Sequence, residues 1–78
     1  MSIEGEHEAA AQEVLETWPG TPEELDVDLY VATRPLYAIT EAQMQERLTQ
    51  RRLAHDRIAA CPGGERLVEL EKKLMGIL

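Results

Sequence analysis

An all-α chain is what three features of this sequence predict: apolar residues recurring every three or four positions, Pro/Gly breaks between those runs, and capping residues where the runs begin. The expected architecture is an antiparallel helical hairpin over about 40–60 and 65–78, with an N-terminal helix over about 3–18. The segment 20–38 is expected to be irregular or extended. Residues 1–78 then make one small helical domain, closed as a three-helix bundle or as a dimeric helical bundle. A chain of 78 residues is too short for two domains or a large cofactor fold, and its core is marginal alone.

The N-terminal helix rests on Ile3, Ala10, Ala11, Val14, Leu15 and Trp18, which fall near one face. Glu13 and Glu16 sit at its negative end, so it is weak in isolation and depends on burying Val14, Leu15 and Trp18. Pro19-Gly20 ends it. A disordered arm would rarely carry such a stripe, so a docked helix is expected.

Residues 21–39 send two signals. Thr21-Pro22-Glu23-Glu24 is a strong helix start, with a threonine cap, a proline in the first turn and a glutamate three residues on. Beyond it, Leu25, Val27, Leu29 and Val31 alternate with Asp26, Asp28, Tyr30 and Ala32, which is a strand pattern. A lone strand needs a partner, and the sequence offers none unless two chains pair across a dimer axis. The resulting expectation is one or two helical turns at 22–26, then extended chain to Pro35.

The second half reads more plainly. Thr40 and Gln43 form a capping box, and Ile39 with Met44 forms a hydrophobic staple, opening a helix that runs to about Ala60. Cys61-Pro62-Gly63-Gly64 breaks it. A further helix follows from Glu65, supported by the Glu69–Lys73 pair four residues apart. So short a break predicts an antiparallel hairpin. Two heptad stripes form its expected seam or dimer interface: Met44, Leu48, Arg51, His55 and Ile58, then Leu67, Leu70, Leu74 and Ile77. Val68, Met75 and Leu78 widen the second stripe. Arg51 and His55 are polar interruptions, most simply read as stems that pack while their polar ends reach water. Leu53 lies on the opposite face, which a monomeric hairpin would leave in water. A homodimer is therefore expected.

Charge is split along the chain. The net charge is −7, yet residues 1–33 hold nine acids and no Lys or Arg, whereas residues 34–78 hold eight bases and six acids. The nine acids, Glu4, Glu6, Glu8, Glu13, Glu16, Glu23, Glu24, Asp26 and Asp28, are the candidate partner-binding residues. Such polarity suggests docking onto the basic part or display to a basic partner. Arg47, Arg51 and Arg52 would then find acids within the molecule, because nine upstream carboxylates would repel a nucleic acid. A ribbon-helix-helix DNA binder is excluded by Asp26 and Asp28, which would face phosphates.

Other chemistries find little support. His7 shares a face with Glu4 and Glu8 but lacks a second neighbouring His or Cys, so no metal is expected. His55 and Cys61 are six residues apart on different faces, Ser2 is the lone serine, and Gly63-Gly64 lacks the lysine of a phosphate loop. No enzyme activity and no cofactor are expected. The longest uncharged run is the seven residues Ile58–Gly64, against about 20 for a membrane span. The acidic opening and a single cysteine point to the cytoplasm. The sequence thus predicts a protein-interaction module with a basic partner, with no direct nucleic-acid or membrane contact. The alternative is a nucleic-acid mimic of the phage inhibitor type, whose carboxylates imitate phosphates.

Overall fold

The computed structural model describes residues 2–76, built on four helices: α1 (Ile3–Thr17), α2 (Pro22–Thr33), α3 (Glu41–Ala59) and α4 (Gly64–Leu74). Among the described residues there is no strand. None of these helices is long and apolar enough to cross a membrane.

Three helices begin as side-chain chemistry dictates. The Ser2 hydroxyl accepts from the Gly5 N–H at 3.1 Å, and the Thr21 hydroxyl from the Glu24 N–H at 3.2 Å. The Thr40 hydroxyl accepts from the Gln43 N–H at 3.1 Å, while the Gln43 carbonyl accepts from the Thr40 N–H, completing the predicted capping box. The predicted staple does not form. Ile39 is 95% exposed, because the Ile39 N–H donates to Gln43 Oε1 and the chain enters α3 with the Ile39 side chain turned out to water.

The second helix corrects the expectation for 20–38. Read at period 3.6 rather than 2, Leu25, Leu29 and Ala32 fall on one face and are buried, while Val27 and Tyr30 face solvent. The strand alternation therefore grouped the exposed Val27 with the buried Leu25 and Leu29, while Val31 packs half-buried against the core. With no second strand to satisfy its backbone, the segment closes its own hydrogen bonds as a helix from the Thr21 cap. Among the described residues there are accordingly four helices, not three.

α4 starts without a side-chain cap, at Gly63 with φ +80°. Only glycine adopts that conformation readily. A Cβ on Gly63 would also lie 2.7 Å from Glu13 Oε2, so the α1 carboxylate covers the turn at the positive end of α4. At the next residue, a Cβ on Gly64 would overlap the Ile58 carbonyl. Two glycines in succession thus let α4 leave directly against the end of α3.

The helices pack as two antiparallel pairs, α1 along α4 and α2 along α3. The order of cross-contacts shows the sense: His7 meets Glu71 and Glu13 meets Gly63, while Asp28 meets Arg57 and Arg34 meets Arg51. Although α3 and α4 touch, each has its longer contact elsewhere, which differs from the predicted hairpin. α4 is the central element, touching all three other helices. The core comprises Ala10 and Val14 of α1, Leu25, Leu29 and Ala32 of α2, Ala54 and Ile58 of α3, and Leu67, Val68 and Leu70 of α4, with Cys61 beneath the turn.

Candidate functional site

The acidic third of the chain folds into α1 and α2, with its carboxylates on α1 and the first two turns of α2. Seven of its nine acids, Glu4, Glu8, Glu13, Glu16, Glu23, Glu24 and Asp26, are exposed, and none has an ion-pair partner among the described residues. The other two are neutralised internally. Glu6 Oε1 lies 3.5 Å from Arg66 Nη2. Asp28 is buried and accepts two hydrogen bonds from Arg57, at 2.7 Å from Nε and 2.9 Å from Nη2. Hydrogen bonding to Asp28 and then its negative charge raise the Arg57 pKa above the ordinary arginine value, with desolvation opposing. Asp28 thus works as a tie between α2 and α3.

The arginines that pair with the acidic third are thus Arg57 and Arg66, not the cluster the sequence pointed to. Arg47 and Arg52 are exposed and meet no acid among the described residues. Arg51 donates from Nη2 to the Arg34 carbonyl, holding the end of α2 against α3, while its Nε is buried without a partner. His55 is half-exposed, its Nδ1 3.7 Å from the neighbouring Asp56 carboxylate, and it receives no carboxylate from the acidic third.

His7 takes part in a different contact. Its Nε2 lies 2.6 Å from Glu71 Oε2, and Glu71 Oε1 is 3.8 Å from Arg34 Nη1. This chain of three joins α1, α4 and the end of α2. Sequence spacing could not show it, because His7 and Glu71 lie 64 positions apart. No group of three or more His, Cys, Asp or Glu side chains is placed to hold a metal ion among the described residues.

The predicted seam divides sharply. Ile58, Leu67 and Leu70 are buried, whereas Leu48 and Leu74 are 40% and 41% exposed. Met44, Arg51 and His55 are half-buried, and Ile77 lies outside the described residues. Leu74 and Ile3, at the adjoining ends of α4 and α1, are both partly exposed.

Two clefts open on the outer side of the α2–α3 pair. One, of about 720 Å³, lies where α1 turns into α2 and is floored by Trp18, Val27, Ala60 and Cys61, with Glu23 and Glu24 at its edge. Trp18 is held by its Nε1–H, which donates to the Thr21 carbonyl at 3.1 Å. The other, of about 690 Å³, lies at the opposite end between Tyr30, Leu36 and Tyr37, with Arg34 and Arg47 alongside. There the Arg34 guanidinium stacks 4.7 Å from the Tyr30 ring centroid. These volumes fall in the range of ligand sites, but both clefts are open and run along helices, a shape suited to protein side chains. Comparison adds no family: the chain matches no family model, no curated protein and no solved structure.

Proposed function

We propose that this chain is a non-enzymatic, dimeric interaction module that displays the carboxylates of α1 and early α2 to a basic protein surface. The observation that carries this reading is the survival of seven exposed carboxylates with no ion-pair partner among the described residues, after the molecule's own arginines have taken Glu6 and Asp28. Carboxylates that only neutralised the basic half would have folded onto Arg47 and Arg52; these seven point to solvent. An adaptor, assembly factor or regulator fits this arrangement, acting by contact alone, with no nucleic acid, membrane or cofactor in its own binding role.

The test is capture from native lysate by the wild-type chain and by a variant carrying Gln at Glu4, Glu8, Glu13 and Glu16 and Asn at Asp26. Loss of a specifically captured protein, with thermal stability matched, is expected. Equal capture by the two chains would reduce the carboxylates to a solubilising coat. Steep weakening with salt, together with displacement by duplex DNA, would favour the mimic instead.

A further inference from the structure

We infer that the outer face of the α2–α3 pair is a self-complementary interface, and that its occupant is a second copy of this chain turned end for end. The inference rests on the dimeric part of the proposed function and moves the contact away from the heptad stripes, whose best members are already buried within one chain. On α2 the face follows Glu23, Val27, Tyr30 and Arg34, spaced four, three and four apart; on α3 it follows Glu46, Gln50, Leu53 and Arg57 at the same spacing. Val27, Tyr30 and Leu53 are 60%, 59% and 46% exposed, leaving a strip of large apolar side chains in water along its middle.

The two ends of the face differ in charge. At the Trp18 end the cleft carries three carboxylates, Glu23, Glu24 and Asp28, and one guanidinium, Arg57. At the Tyr37 end it carries two guanidiniums, Arg34 and Arg47, and one carboxylate, Glu46. A two-fold axis through the middle of the face, near Tyr30 and Leu53, lays each end over the opposite end of the other copy. The cleft with Arg34 and Arg47 then lies over the cleft with Glu23 and Glu24, bringing Arg47 of one copy towards Glu23 and Glu24 of the other, twice over. Such a contact closes on itself and builds a dimer, not a filament. Opposite charges at both ends also fix the antiparallel sense, since a parallel arrangement would place like charges together. The α1 carboxylates lie outside this face and stay available to a partner.

Charge reversal tests the arrangement. By sedimentation equilibrium the wild-type chain is expected to reach twice its 8.8 kDa mass, with the sole tryptophan, Trp18, shifting its emission to the red as the dimer is diluted apart. Glu23→Lys with Glu24→Lys, or Arg47→Glu alone, should weaken self-association by roughly tenfold or more. The decisive results are rescues. An equimolar mixture of the two variants should form a heterodimer, and the triple variant, with both ends reversed, should form a homodimer again. All three residues are exposed, and unchanged helical circular dichroism and melting would show that each variant is folded. A wild-type chain that stays at 8.8 kDa at every concentration would overturn the dimer. A wild-type dimer indifferent to the reversals would overturn this face alone. Neither result touches recognition by the α1 carboxylates, which the lysate comparison tests separately.

Discussion

α4 and the first half of α3 carry the same kind of pattern and meet opposite fates. Both space their leucines and methionines in heptads, yet Leu67 and Leu70 are buried while Leu48 is 40% exposed and Met44 only half-covered. The reason is what lies next to each. α4 sits between α1, α2 and the end of α3, so the Leu67–Leu70 part of its stripe is covered from three directions, while Leu74 at its end is 41% exposed. The first half of α3 faces chiefly the 34–40 connection and the end of α2, and from Glu41 to Gln50 only Met44 is even half-buried. A heptad stripe states which face of a helix is apolar. It does not state whether anything in the same chain arrives to cover it.

The largest expected effect lies in α4. Leu70→Ala should lower the unfolding free energy by about 2–5 kcal/mol, because the site is closed by three elements and cannot collapse freely. Chemical denaturation followed by circular dichroism measures it. A loss below about 1 kcal/mol would place Leu70 at a surface and dissolve the contrast between the two helices. Gly64→Ala comes next. Its Cβ would overlap the Ile58 carbonyl, which is backbone and cannot rotate aside, so α4 must shift away from α3. Overpacking of this kind costs about 1–3 kcal/mol. A melt of Gly64→Ala equal to wild type would show that the turn has room to relax.

How far the sequence revealed all this depends on the range of the interaction involved. Caps and breaks are local, and the starts at Thr21 and Thr40, the stop near Thr17 and the turn at 61–64 were each legible from a few neighbouring residues. Helix α2 was obscured because Leu25, Val27, Leu29 and Val31 satisfy the strand period as well as the helical one, and only Ala32, a small residue, completes the helical face. Small core residues hid more than that. Ala54 and Ala10 are buried as fully as many leucines, yet an alanine in a sequence signals neither inside nor outside. Asp28 was misplaced for the opposite reason. It reads as one acid among nine, and its burial depends on Arg57, 29 positions away. That seven of the nine carboxylates have no ion-pair partner among the described residues was likewise invisible, since it requires knowing which arginines the fold brings within reach.

The smallest expected effect is also the sharpest test of the contrast. Leu48 belongs to the stripe the sequence marks most plainly on α3, so a seam reading makes Leu48→Gln comparable to a core truncation. The structure says otherwise. The side chain is 40% exposed, on a stretch of α3 with only Met44 half-buried among residues 41–50, and glutamine has a helix propensity close to that of leucine. The change in unfolding free energy should then stay within about 0.5 kcal/mol. Native-state hydrogen exchange should show the same asymmetry in the wild-type chain, with amides of the first half of α3 opening more readily than those of α4. A destabilisation by Leu48→Gln that grows with protein concentration would have a different meaning: the stripe would be covered by a second chain, and the interface would lie on the heptad face of α3, not on the outer side of α2 and α3.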